Sequence, residues 1–144
     1  MKKRNSDKLQ HAIQSLENAI KYSRSPEFQE LGIEFKNVLI SAVVQNFNLT
    51  FHVCRQMLKN QLADQIDATK IENLTSKELL HLAAKEGLIS NLNQWLEYLD
   101  CEHLSQSSSI AIRTFEKASA FLKDAEELLQ TCTKRTNNER RSAA

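Results

Sequence analysis

The sequence predicts an all-α protein, an up-and-down antiparallel four-helix bundle with one extra short helix. Three observations predict it. The 144 residues include two glycines and one proline, too few for the many tight turns of a sandwich or barrel. Apolar residues recur at spacings of three and four along most of the chain, the period of one helical face. A composition that is 41% hydrophobic and 26% charged supplies an ordinary core without disulfide or metal staples.

The first helix starts near Asn5 or Ser6, whose side chains can cap orphan amides. It carries Leu9, Ile13, Leu16 and Ile20 on one face and stops before Pro26, which pushes its predecessor out of the α region. The second helix is the longest and most apolar. Ile40, Val44, Phe47, Phe51, Cys54, Leu58 and Leu62 form its stripe, and Phe35, Val38, Leu39 and Val43 widen it. The stretch 63–73 loses the pattern and reads as a loop. Thr75 followed by Glu78 is a capping box that opens a short third helix through Leu79, Leu80, Leu82 and Ala83, and Gly87 ends it. Ser90 can cap a fourth helix carrying Leu92, Trp95, Leu96 and Leu99, which weakens into a polar hinge at 105–109. The fifth helix has a heptad-like seam of Ala111, Phe115, Ala118, Leu122, Ala125, Leu129 and Cys132, whose alanines permit close helix approach.

Brief connections make such helices antiparallel neighbours. Residues 1–135 are expected to form a single helical-bundle domain, with 136–144 a disordered polar tail. The seams of the second and fifth helices exceed what one small monomer covers, so a homodimer is expected with one of them at its interface.

A net charge of +1 gives no strong nucleic-acid signal. The basic residues gather at the ends, in Lys2, Lys3, Arg4 and again in Lys134, Arg135, Arg140 and Arg141, and read as solvated termini. No run approaches the ~18 apolar residues of a membrane span. Cys54, Cys101 and Cys132 are odd in number and widely spaced, the pattern of reduced thiols in a cytoplasmic protein. His11, His52, His81 and His103 show no metal-binding spacing, and His52 and Cys54 point to nearly opposite sides of their helix. Two glycines cannot build a phosphate loop or dinucleotide fingerprint, so no metal and no cofactor is expected.

Three segments carry a resemblance: VVQNFNLTFHVCRQMLKNQL at 43–62, TSKELLHLAAKEGLI at 75–89 and WLEYLDCEHLSQSSS at 95–109. In order and spacing they resemble the nucleotidyltransferase substrate-binding proteins, a branch of the HEPN superfamily. The similarity spans residues 9–132. Its most specific parts are Gln45, Phe47, Thr50, Phe51, Leu58 and Lys59, then Gly87, Leu88, Ile89 and Trp95.

The resemblance implies a dimerising helical bundle whose partner is a small, separately encoded nucleotidyltransferase. In some such pairs the two form a toxin–antitoxin system, and the bundle is a ribonuclease silenced by AMP attached to a tyrosine. That ribonuclease signature is an arginine, then a histidine, often with a tyrosine two further on. Aligned through Trp95, these positions hold Glu102, Ser107 and Ser109, with His103 following the arginine position. Asn48 and His52 stand where relatives often carry glutamates, and Arg55 where many carry tryptophan. Glu102 would repel phosphate, Ser107 cannot titrate near neutrality and Ser109 lacks the reach of a phenol, so catalysis and adenylylation are expected to be absent.

The leading expectation is therefore a non-catalytic accessory subunit of a nucleotidyltransferase, with a nucleotide or nucleotidyl acceptor held at the complex. A cleft between the second and fourth helices would offer Gln45, His52, Arg55, Lys59, His103, Ser105 and Ser107. Each also has a plainer reading as a surface group, a helix–helix hydrogen bonder or a cap. Phe47, Phe51, Trp95 and Phe115 read as core rather than as stacking platforms. Two alternatives are a residual ribonuclease built on His103 with Arg55, and a generic helical adaptor.

Overall fold

The computed structural model describes residues 2–103 and 108–143 and, among them, contains helices and no strand. In chain order these are α1 (Lys2–Ser23), α2 (Pro26–Glu30), α3 (Ile33–Leu62), α4 (Ala68–Glu72), α5 (Ser76–Lys85), α6 (Leu92–His103) and α7 (Ser108–Ala143). Helices α1, α3, α6 and α7 make the bundle, and α5 leans on α3 and α6.

Directions follow from named contacts. Arg24 near the end of α1 donates to Ser119 Oγ near the start of α7, while Ser6 and Gln10 share a hollow with Leu129 and Thr133, so α1 and α7 are antiparallel. Across α6 and α7, Glu97 meets Lys117, Tyr98 meets Asp124, and Ser90 just ahead of α6 meets Glu127, again antiparallel. Within this frame α1 and α6 run one way, α3 and α7 the other.

The local signals act as their chemistry dictates. The Thr75 hydroxyl accepts from the Glu78 amide at 3.1 Å, and the Glu78 carboxylate accepts from the Thr75 amide at 3.2 Å. Gly87 has φ +77°, and the Leu88 and Gly87 amides donate back to the Ala83 and Ala84 carbonyls, which closes α5. Leu9, Ile13, Leu16 and Ile20 are all buried, as are Val44, Phe47, Phe51, Cys54, Leu58 and Leu62.

Several expectations need correction. Two single-turn helices were not foreseen. Pro26 opens α2 behind the Ser25 cap, and Asp67 caps α4 inside the stretch expected to be a loop, where Ile71 docks on the core. Helix α1 begins at Lys2, ahead of Asn5, since nothing in 2–5 opposes helix. At α6 the carbonyl that accepts the first helical bond belongs to Asn91, while the Ser90 hydroxyl turns to Glu127. Helix α7 continues through 136–143, where an irregular tail was expected; Thr131, Thr133 and Thr136 each bond the carbonyl four residues back, and Arg135 reaches the Glu86 carbonyl at 2.7 Å.

The seam of α7 is also rotated from the expected one. Thr114, Ala118, Phe121, Ala125, Leu128 and Cys132 are buried, while Phe115, Leu122 and Leu129 lie half-buried at its edge. Packing against α1, α3 and α6 at once places the centre of contact on Phe121 and Leu128. Phe121, fully buried, becomes the hub of the core. Its ring lies 4.5 Å from Phe47, 5.0 Å from Tyr98, 5.9 Å from Trp95 and 6.0 Å from Phe51, in tilted or edge-on geometries that aromatic pairs favour.

Candidate functional site

Arg55 follows the buried Cys54 on α3 and precedes the exposed Gln56, so its guanidinium emerges at the edge of the core. It lies 5.4 Å from the Phe51 ring one turn earlier, a cation over an aromatic face. From there Nη1 donates to Glu102 Oε1 of α6 at 2.5 Å and to Ser76 Oγ of α5 at 3.3 Å. The two charged side chains keep 19% and 15% of their exposure, so the pair sits well inside the solvent boundary. One cation thus ties three helices together at the point where α6 ends.

The charges decide what this place can do. A guanidinium in the open would suit phosphate or carboxylate. Here a carboxylate of the same chain already occupies it, so an incoming phosphate would have to displace Glu102 and meet its repulsion. The position is therefore arranged to hold helices rather than to receive an anion.

The remaining predicted site residues are dispersed. Lys59 lies half-buried one turn beyond Arg55 on the same side of α3. Gln45 and His52, seven residues apart, share the outward face. His52 lines a hollow of about 450 Å³ between α1 and α3, together with Lys8, His11, Ala12, Ser15, Leu49 and Val53. Gln45 lines a second hollow of about 390 Å³ with Asn37, Val38, Ser41 and Ala42. The expected single cleft between the second and fourth helices is thus replaced by a junction at Arg55 and two outward hollows, because positions 45 and 52 lie on the outward face two turns apart while Arg55, ~60° round the helix from His52, reaches α5 and α6. His103 closes α6 and Ser109 lies in the first turn of α7. Their side chains, and all of Ser105 and Ser107, lie outside the described residues.

Sequence reasoning missed three polar partners. Ser76, the first residue of α5, accepts from Arg55. Tyr98 is fully buried and donates its hydroxyl to Asp124 at 2.6 Å, and burial, with that carboxylate beside it, pushes the phenol well above its usual range. Lys117 pairs with Glu97 at 2.5 Å, and its ammonium lowers the Glu97 carboxyl through the hydrogen bond. The Phe51–Arg55 spacing of four was the one local signal available for the junction. Cys54, Cys101 and Cys132 are buried free thiols, and burial drives Cys54 far above an ordinary thiol. Among the described residues, no group of three His, Cys, Asp or Glu side chains comes together as a metal site.

Comparison with known proteins bears on this geometry. A family model described as nucleotidyltransferase substrate binding protein like matches residues 4–134. A relative from Haemophilus influenzae, named a probable ribonuclease HepT, is 25% identical over 104 residues, covering 69% of this chain and 71% of its own. A solved structure from Haemophilus influenzae, described as revealing the fold of a substrate binding domain of a nucleotidyltransferase, superposes with a TM-score of 0.81. It is 23% identical and covers 89% of this chain and 98% of that one, a likeness that establishes the fold.

Proposed function

The chain belongs to the nucleotidyltransferase substrate binding protein-like family, and from that premise we propose that it is the non-catalytic accessory subunit of a small nucleotidyltransferase. The observation that carries this reading is the Arg55–Glu102 pair. At the position where the resemblance calls for an arginine stands a carboxylate, and the nearest cation is bound to it. A centre that cleaves RNA needs a cation free to stabilise the phosphate as charge develops on it. This junction spends its cation on holding α3, α5 and α6.

The subunit acts as a homodimer in the cytoplasm. Ile33, Phe35 and Val38 on α3 remain 76%, 64% and 64% exposed, an apolar surface at the start of one of the two helices expected as the dimer interface. Among the described residues no helix is long and apolar enough to cross a membrane. The complex with the nucleotidyltransferase then offers a nucleotide or nucleotidyl acceptor a site that neither protein forms alone, and the pairing descends from a toxin–antitoxin arrangement.

A second reading is a residual ribonuclease that uses His103, favoured by the name of the Haemophilus influenzae relative. Purified protein tested on mixed single-stranded RNA separates the two. The accessory reading expects no cleavage above a buffer control. Cleavage that disappears in a folded His103→Ala variant would replace it with the enzyme.

A further inference from the structure

The outer face of α3 carries no formal charge. From Val38 to His52 its exposed residues are Val38, Ser41, Gln45, Leu49 and His52, and no Asp, Glu, Lys or Arg occurs between Asn37 and Cys54. The outer faces of α1 and α7, by contrast, carry Lys8, Lys21, Glu116 and Lys123. Leu49 sits in the middle of the 30-residue α3 and is 54% exposed, although Thr50 and Phe51 beside it are fully buried, so fraying cannot account for the exposure. Depletion of charge around exposed apolar side chains is the composition of an interface core.

At ~100° per residue, Val38, Gln45, Leu49 and His52 fall within a sector of about 60°. The stripe alternates knobs and hollows. Phe35 and Val38, one turn apart, are each 64% exposed. Next comes the hollow of about 390 Å³ over the small Ser41 and Ala42, reaching Gln45. Then Leu49 projects, beside the hollow of about 450 Å³ that Ala12 and Val53 help to line between α1 and α3. Its walls are fastened together, because the buried Thr50 hydroxyl lies 3.2 Å from the Ala12 carbonyl. Val38 and His52 stand seven residues before and after Gln45, ~10.5 Å along the axis in each direction. Rotation by half a turn about Gln45 therefore sets each knob opposite a hollow.

Resting on the homodimer reading above, we propose that a second copy covers this whole face, α3 against α3 in antiparallel register with the two-fold axis at Gln45. Leu49 of each copy enters the hollow over Ser41 and Ala42 of the other. Phe35 and Val38 enter the hollow between α1 and α3, where Lys8 at the rim meets the incoming ring. Gln45, whose amide both donates and accepts, meets its own mate. The exposed Glu34 comes level with Gln56 and within one turn of the half-buried Lys59, opposite in sign. Size, hydrogen bonding and charge are each answered by another part of the same surface. That is the condition for an isologous contact, and it selects a second copy over a different protein. Neither hollow is complete in one chain alone.

The test uses the full chain, with mass by light scattering over a dilution series and with introduced cysteines as rulers. Leu49→Glu places a carboxylate in both equivalent contacts and is expected to weaken self-association about tenfold for each, about a hundredfold in all, with helical circular dichroism unchanged. Gln45→Cys is expected to link two copies under mild oxidant, because a residue on the axis meets its own mate; Cys54, Cys101 and Cys132 are buried and stay out of the reaction. In this register His52→Cys lies ~21 Å from its mate, beyond the disulfide reach of about 7 Å, and is expected to link only to Val38→Cys in a mixed sample. A wild-type dimer that Leu49→Glu leaves intact would overturn the interface while the homodimer reading stands. Leu49→Glu monomers without the Gln45→Cys link would overturn the register. A wild-type chain that stays monomeric at micromolar concentration would overturn the homodimer reading and the interface with it.

Discussion

Replacing Glu102 with Gln leaves the Arg55 guanidinium without its carboxylate in a place that is only 19% exposed. The cost can be bracketed. A solvent-exposed pair contributes about 0–1 kcal/mol, and breaking a fully buried one costs about 3–5 kcal/mol. With partners at 19% and 15%, and with Ser76 still able to accept from the arginine, the structure places Glu102→Gln at about 2 kcal/mol. Arg55→Met should cost a similar amount, because it strips the cation from a sheltered carboxylate. The double variant should cost less than the two singles added, with a coupling of about 1–2 kcal/mol, since it leaves no orphaned charge. Urea unfolding followed by helical circular dichroism measures all four corners of this cycle. For a chain of this size the single variants should also melt about 5–8 °C lower. Additive effects, or single variants within about 0.5 kcal/mol of wild type, would show that the pair is an incidental surface contact and refute the reasoning.

Three further outcomes follow from the core and the caps. Phe121→Ala removes the ring that four other aromatics surround and should cost about 3–5 kcal/mol, or fail to fold, as measured by yield and by urea midpoint. Gly87→Ala places an L residue at φ +77° and should cost about 1–2 kcal/mol; the added Cβ would lie 3.4 Å from the movable Arg135 tip, so strain rather than collision sets the size. Tyr98 and Cys54 hold their protons in the folded chain to higher pH than their ordinary values of 10.0 and 9.0. Above those values the unfolded chain has lost protons that the folded chain keeps, so the contribution of these two groups is constant below pH ~9 and stability falls as pH rises past ~10. Urea midpoints across that range check this, and a native Cys54 that reacts with a thiol reagent at neutral pH would contradict it.

Features that depend on near neighbours in sequence were legible. Thr75 and Glu78 recognise each other across three residues, Gly87 supplies the one left-handed backbone that α5 needs, and Leu9 to Ile20 can face only one way. Features decided by third parties were not. The seam of α7 could be centred on Phe115 and Leu122 or on Phe121 and Leu128, and only the simultaneous presence of α1, α3 and α6 selects the second. Arg55 and Glu102 are 47 residues apart, and no local pattern pairs them. The same holds for Arg135, whose guanidinium meets the carbonyl of Glu86 because α7 runs past the end of α5. Residues 45, 52 and 55 share a motif yet face different neighbours, so a list read from the motif scatters over three places.

On the proposed reading, this family member is a subunit whose work is association with a nucleotidyltransferase. The most direct measurement is the mass of the species obtained when the chain is co-expressed with the small nucleotidyltransferase of its own genome. One co-eluting particle that contains two copies of this chain and bound nucleotidyltransferase is the predicted result. Two separate peaks, with this chain eluting as a lone monomer, would contradict it.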